Sequence, residues 1–408
     1  MDAKAQDWKC KFAVIWSGQS ISMLTSSVLQ MAIVWHLTGR TGSAAILSFA
    51  TLIGFLPQAV LGMFIGALID RYNRKRIMIA ADLFIAAISV TLIIAGAVGE
   101  IPIWLIMVVL FARSIGTAFH YPSLQAITPM IVPKEQLTKY AGFAQSFESI
   151  AMVISPPLAA ILFSIWSLNI IVLLDVLGAL FAVFMLCIVK LPEFKTNRSY
   201  QTPHVMQEVK EGIGVLKNER GMTALMLISA LYAIIYFPIG TLYPLITMTY
   251  FGGGVAESSV VEVFFSIGMF LGSLLLGVFG NKISKIKAIT GSISLYGAGV
   301  LLTGLLPSTG LKIFILLSAI MGISVPFFTG VQTAIFQVKI KQEYLGRVLS
   351  LSSSISMIAM PMGLILSGIF AEIIGVPKWF LISGIMTLLL AVFSMMIPSL
   401  KNCCNDLS

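Results

Sequence analysis

Charge is scarce in this sequence. Asp, Glu, Lys and Arg make up only 11% of its 408 residues, where a soluble globular chain carries roughly 25%. That is too little polar surface to cover a water-facing fold. Cysteine is scarce too, and unpatterned. Cys10, Cys187, Cys403 and Cys404 form neither a spaced disulfide framework nor a paired CxxC array, so no disulfide scaffold or zinc site is implied. No stretch matches the GxxxxGK[ST] phosphate loop, and no HExxH or GxSxG motif occurs. Nucleotide hydrolysis within the chain and the hydrolase chemistries of those motifs therefore lack their signatures. The sequence reads as a non-enzyme without a cofactor or metal. The opening stretch, MDAKAQDWKCK, is polar and has no cleavage site before the first apolar run. The first helix is expected to serve as the insertion signal itself.

Apolar residues fill the space that charge leaves. The chain is 58% hydrophobic, with 26 Phe and 21 Met. A hydrocarbon layer about 30 Å thick needs roughly 20 apolar residues per helix. Runs of that kind predict helices over 12–37, 44–68, 76–98, 102–127, 140–165, 168–190, 221–247, 258–280, 287–306, 311–336, 346–371 and 378–399. Strands of a membrane barrel are excluded, because the runs are continuous rather than alternating. The net charge of +9 does not point to nucleic acid. Of the 26 basic residues, 22 fall in alternate loops and termini, which makes that side the cytoplasmic one. Arg40, Lys312 and Lys378 lie on the other side, and Arg113 alone falls within a helix. A multi-pass protein of the bacterial cytoplasmic membrane, with both termini inside, is the expectation.

The longest polar stretch divides the chain near its middle. The expected organisation is a six-helix bundle over 1–190, a cytoplasmic linker over 191–220, a second six-helix bundle over 221–400 and a short tail over 401–408. Within the linker, Val205, Val209, Ile213 and Leu216 share one helical face, which predicts an amphipathic surface helix. A plain tether is the equal alternative.

The two bundles carry a repeat. GALIDRYNRKR, from Gly66 to Arg76, aligns with GVFGNKISKIK, from Gly277 to Lys287. Glu135, Leu137 and Lys139 likewise parallel Glu343, Leu345 and Arg347. Two loops recurring in the same order favour duplication of a six-helix unit, an arrangement found in transporters with a midplane site.

GALIDRYNRKR resembles the loop motif of the major facilitator superfamily, G-x-L-x-D-R-x-G-R-R/K. Gly66, Leu68, Asp70, Arg71, Arg74 and Lys75 fit it, and Asn73 replaces the second Gly. LFARSIGTAFHYP (Leu110–Pro122), VPKEQLTKYAG (Val132–Gly142) and SVPFFTGVQTAIFQ (Ser324–Gln337) resemble the macrolide-efflux branch of drug:proton antiporters. The resemblance implies an all-α membrane protein of twelve transmembrane helices in two pseudo-symmetric six-helix bundles. It also implies proton-driven export of a lipophilic drug, a macrolide first of all, by alternating access. A separate ATP-binding resistance protein is a further partner that it allows. Two motifs depart from the family pattern. Arg113 is followed by Gly three rather than four residues on, at Gly116. The helix 5 antiport motif is reduced to Ser155, Pro156, Pro157, Ala159 and Ala160. Export of a siderophore on the same fold is one alternative, and a lipid flippase or a non-transporting membrane sensor is another. Sodium is the alternative coupling ion.

An ionisable residue inside a membrane helix is costly and is a functional candidate by default. Arg113, Glu148, Asp175 and Glu262 are the proton-coupling candidates. Arg113 lies mid-helix and needs a carboxylate or a wet cavity. Glu148 is at a matching depth and is the expected partner, as a coupling pair or as a static ion pair. Asp175 is on helix 6, which the superfamily places at the bundle periphery. Glu262, near the outer end of helix 8, fits a gate or a solvated rim. Asp82, near the basic loop, is expected to form a gate salt bridge. Gly66, Asp70, Arg71, Arg74 and Lys75 form the gating loop that the resemblance implies. The substrate-cavity candidates from the same resemblance are Gln19, Gln30, Gln125, Tyr232, Tyr236, Gln332 and Gln337. Helix–helix hydrogen bonding is the alternative for each. His36 is expected at the outer rim, His204 in the linker, and His120 as a core or interface residue.

Overall fold

A computed structural model describes residues 3–69, 72–133, 136–190, 220–279, 283–340 and 342–400. They form twelve long helices: α1 (Ala3–Thr41), α2 (Ala44–Ile69), α3 (Arg74–Val98), α4 (Ile103–Ile131), α5 (Leu137–Ile165), α6 (Leu168–Ile188), α7 (Arg220–Thr241), α8 (Val255–Phe279), α9 (Lys285–Leu305), α10 (Leu311–Lys339), α11 (Gln342–Ile374) and α12 (Val376–Met396). Eleven carry an apolar stretch long enough to cross a membrane, and α5 contributes a shorter one over Val153–Ile165. The predicted surface helix of the linker, Asp70, Arg71 and the tail lie outside the described residues, as do the side chains of Glu148 and Leu68.

Each helix is long because little in its sequence stops it. The links from α1 to α2 and from α11 to α12 are short and turn on glycine. Gly42, at φ +56°, sits between α1 and α2, and Gly375, at φ +86°, is the single residue between α11 and α12. Only glycine enters that region without a Cβ clash. At α3 the entry is capped: the Asn73 side chain accepts a hydrogen bond from Arg76 N at 3.3 Å, the ordinary role of Asn at a helix start.

The helices expose apolar stripes. On α6, Leu173, Leu177, Leu180, Phe184 and Ile188 are exposed, at the three- and four-residue spacing of one helical face. Val172, Asp175, Val176, Ala179 and Ala182 are buried on the opposite face. An apolar outer face with the one charge turned inward suits hydrocarbon and not water.

The repeat extends to the helix boundaries. Arg74 and Lys285, which start α3 and α9, are offset by 211. Ile103 and Leu311, which start α4 and α10, are offset by 208, as are Leu168 and Val376 for α6 and α12. The chain divides into two compact units, residues 1–40 with 50–201, and residues 41–49 with 202–408.

In the first unit α3 packs against α4 and α6. In the second, α8 packs along α10 and α9 along α12. These seams are close because of glycine. A Cβ on Gly268 would lie 2.0 Å from Ala319 O, and one on Gly322 would lie 2.1 Å from Phe265 O. Each helix of the α8–α10 pair therefore seats its backbone on a glycine of the other, as small residues allow in membranes. Gly384 does the same for α12 against Leu301 of α9.

One predicted element is corrected. The run over 221–247 reads as one helix, but α7 stops at Thr241. A short turn, Tyr243–Leu245, and a π-helical stretch, Ile246–Tyr250, follow it. Pro238 and Pro244 interrupt the regular hydrogen bonding, and periodicity alone carries no trace of that.

Replacing Gly322 with Val should force α8 and α10 apart. Overpacking of this kind costs about 1–3 kcal/mol or more, so thermal unfolding of the purified protein in detergent should begin several degrees lower. Gly277→Ala, with open space around the added Cβ, should leave Tm unchanged.

Candidate functional site

The first unit holds a buried charge cluster. It is built by four helices. Arg113 projects from the middle of α4 and Asp175 from α6. Their guanidinium and carboxylate form an ion pair, with the side chains 11% and 1% exposed. Arg113 Nη1 also donates to Ser89 Oγ of α3 at 2.5 Å, and Nη2 donates to Ser26 Oγ of α1 at 3.4 Å. Ser26 in turn donates to Asp175 Oδ1 at 2.7 Å. Both carboxylate oxygens are thus hydrogen-bonded, one by the guanidinium and one by a hydroxyl.

Small residues make this convergence possible. Gly178 lies one helical turn from Asp175, and a Cβ there would sit 2.3 Å from Thr25 Oγ1. Its absence lets α1 approach α6 closely enough for Ser26 to reach the carboxylate. Gly116 performs the same service on α4. A Cβ there would meet Ile85 Cγ1 at 2.5 Å. A buried ion pair is held only when geometry is good and the remaining lone pairs are satisfied. Both conditions are met.

The expected partner of Arg113 was Glu148, whose side chain lies outside the described residues. Asp175 occupies the guanidinium, and the peripheral place expected of helix 6 does not keep its acid from the cluster. Sequence could have pointed to Asp175, the lone charge in an otherwise apolar helix. It could not have picked out Ser26 or Ser89.

Among the described residues Asp82 pairs with His120, at 3.3 Å from Nε2 to Oδ1; Arg71 of the basic loop lies outside them. Lys75 donates instead to the carbonyls of Val189 at 2.8 Å and Cys187 at 3.3 Å, and Arg74 Nη1 to that of Ala126 at 2.9 Å. The α3 start is thereby tied to the ends of α4 and α6. Gly66 falls where no side-chain environment is described.

In the second unit the expected cavity tyrosines are found together. Tyr232 stacks on Tyr236 at 5.7 Å between ring centroids, with Tyr296 edge-on to Tyr232 at 5.7 Å and Phe328 at 4.7 Å. The Tyr232 hydroxyl is buried beside Ser324. A second aromatic group surrounds Tyr243, which meets Phe265, Phe314 and Phe380 and donates from its hydroxyl toward Met321 Sδ at 3.6 Å. Sequence reasoning did not single out Tyr243 or Tyr296. Glu262 is half-buried on α8, seven residues from its start, and forms no ion pair among the described residues.

The glutamines separate. Gln332 of α10 donates to Ser229 of α7 at 2.8 Å and Ser352 of α11 at 3.3 Å, so it joins three helices. Gln19 is fully buried, and neither amide atom has a hydrogen-bond partner among the described residues. Gln30, Gln125 and Gln337 are exposed. His36 is half-buried near the end of α1, and His204 lies outside the described residues. No group of His, Cys, Asp and Glu able to hold a metal ion occurs among the described residues.

Two units of apolar helices related at offsets of 208 and 211, with ionisable groups turned inward, define a multi-pass membrane transporter rather than an enzyme. Known proteins agree. The sequence matches the family described as "transmembrane secretion effector" over residues 8–407. The chain belongs to that family, within the major facilitator superfamily. It is 51% identical to macrolide efflux protein A of Streptococcus pyogenes, over 98% of each chain. It is 51% identical to macrolide efflux protein A of Enterococcus faecalis, over 79% of this chain and 100% of that one. Among solved structures it is similar to the nucleoside transporter NupG, with a TM-score of 0.75, 11% identity, and coverage of 95% of this chain and 99% of that one. A bacterial homolog of the lysosomal transporter Spinster gives a TM-score of 0.72 at 14% identity, covering 100% and 99%. Those two likenesses bear on the fold alone.

The charge cluster makes a stability prediction. Asp175→Leu leaves the Arg113 guanidinium buried and unpaired, which costs about 3–5 kcal/mol. Arg113→Met combined with Asp175→Leu removes both charges and should recover most of that loss. Thermal unfolding of the three proteins in detergent measures it. A double variant no more stable than the single would show that the uncompensated charge is not the cause.

Proposed function

We propose that this chain exports a macrolide or a similar large lipophilic drug from the bacterial cytoplasm, using inward proton movement. The supporting observation is the 51% identity to macrolide efflux protein A over 98% of both chains. The basic ends of the helices, including Arg74, Lys75 and Arg76 of α3, face the cytoplasm in this reading, which follows the charge bias of the loops. Both termini then lie inside.

The acids assigned to the proton step are Asp175, Glu262 and Glu148, with Arg113 as the cation whose pairing the proton alters. A proton on Asp175 weakens its hold on Arg113, and a change of that kind can bias two packings of the same helices. Tyr232 and Tyr236 are assigned to the drug. Stacked aromatic faces suit a large lipophilic cation, and the Tyr232 hydroxyl, buried beside Ser324, offers a polar contact. Gln332 is assigned with them, although Ser229 and Ser352 hold its amide. Gln19, Gln30, Gln125 and Gln337 remain cavity assignments, and Gly66, Asp70, Arg71, Arg74 and Lys75 remain the gating loop of the family motif.

The test is drug efflux from a susceptible bacterial host expressing the chain, across macrolides of different ring size, with and without an uncoupler. Lower accumulation that the uncoupler abolishes is the expected result. Asp175→Asn should lose uphill export while still exchanging drug down its gradient. Export that survives the uncoupler but stops when ATP is depleted would move the energy source to a separate ATP-binding partner. No change in accumulation of any macrolide would remove the substrate assignment.

A further inference from the structure

The first unit contains a second pair of ionisable side chains, Asp82 on α3 and His120 on α4. Asp82 is 4% exposed, and the His120 side chain is 12% exposed. Oδ1 of the acid lies 3.3 Å from Nε2 of the ring. Unlike the Arg113 cluster, this pair is unsatisfied. Asp82 Oδ2 and His120 Nε2 have no hydrogen-bond partner among the described residues. A buried carboxylate oxygen without a donor is costly, so fixing two helices together is a poor account of it. A static contact would be better made by apolar residues of the same volume.

Its position is regular. Asp82 is seven residues before Ser89 on α3, and His120 is seven after Arg113 on α4. Seven residues return a helix to nearly the same face and advance it about 10 Å. Moving down one helix while moving up the other follows the pairing of antiparallel neighbours, so Asp82–His120 lies beneath Ser89–Arg113 along the same seam. It is the nearer of the two to Arg74, at the basic end of α3. Between the two levels, Ile85 is seated against Gly116, an apolar contact that separates them.

We propose that Asp82 and His120 form a second proton-binding site, distinct from Arg113–Asp175 and on its basic-end side. His120 Nε2 takes up one proton from solvent, and the ionised Asp82 Oδ1 beside it balances the charge. Release returns the ring to its neutral form, with no other reactant. Histidine is the side chain that ordinarily changes charge between about pH 5 and 8. The other ionisable groups on the surrounding helices are few. They are Arg113 and Tyr121 on α4, Arg74, Lys75 and Arg76 at the α3 start, and Asp175 and Cys187 on α6. On α1, Lys4, Asp7, Lys9, Cys10 and Lys11 belong to the N-terminal end and His36 and Arg40 to the other, α5 carries Lys139, Tyr140 and Glu148, and α2 has none between Ala44 and Ile69.

The site deepens the proton-driven reading, so its test has an arm that needs no transport. The full chain carries three histidines. Ring resonances of His120 can therefore be assigned in lipid nanodiscs by their loss in His120→Gln. The expected result is reversible proton uptake by His120, with a midpoint displaced in Asp82→Asn. A His120 ring that takes up no proton while the protein stays folded, or a midpoint indifferent to Asp82→Asn, overturns the proposal even if export proves proton-driven. In the transport arm, His120→Gln should flatten the pH dependence of drug export while drug binding is retained. The combined Asp82→Asn and His120→Gln variant, which leaves no ionisable group at this position of the seam, controls for loss of folding. Should export ignore the uncoupler while His120 still titrates with Asp82, the proton-driven reading fails and this site stands.

Discussion

A guanidinium placed in the middle of an apolar bundle must be neutralised, and the first unit is organised around that requirement. Arg113 of α4 meets Asp175 of α6, with Ser89 of α3 and Ser26 of α1 filling the remaining hydrogen-bonding positions. Four helices each supply one group. Removing any of them leaves a buried polar atom without a partner, where the low dielectric makes that expensive. The close approaches at Gly178 and Gly116 follow from the same need, since the hydroxyls and the carboxylate reach the guanidinium only where no Cβ holds the helices apart.

The second unit repeats the backbone but not this chemistry. Its helix starts match those of the first at offsets of 208 and 211. Its seams close on Gly268, Gly322 and Gly384, and its interior is aromatic around Tyr232, Tyr243 and Tyr296. Among the described residues it contains no buried ion pair; Glu262 is half-buried and unpaired. Duplicated architecture has thus been put to two uses. One half carries charge, and the other carries apolar surface with hydroxyls. The same fold hosts a nucleoside transporter at 11% identity, which illustrates how function resides in such sites and not in the scaffold.

Within the charged half, two pairs of the same seam differ in one respect. Both carboxylate oxygens of Asp175 are hydrogen-bonded, whereas Asp82 Oδ2 has no partner among the described residues. The hydrogen bonds around Asp175 favour its ionised, paired form, so a proton there must displace Arg113, whereas a proton on His120 adds to the Asp82 pair without breaking one.

Several features were determined by the sequence alone. The apolar runs set the number of helices and their approximate ends, because a bilayer-crossing helix has a minimum length and tolerates few charges. The repeat at Gly66 and Gly277 announced the duplication. The ionisable residues within helices, Arg113, Asp175 and Asp82 among them, were visible as isolated charges in apolar surroundings. The partners were not. Glu148 had a depth comparable to Arg113, but depth along a helix says nothing of which way the helix is turned. Only tertiary packing fixed the rotations that bring Asp175 to Arg113 and His120 to Asp82. The break after Thr241 was hidden for a related reason, since prolines in an apolar run are compatible with a continuous helix until neighbouring side chains decide otherwise. Composition is a property of segments, and pairing is a property of how their faces meet.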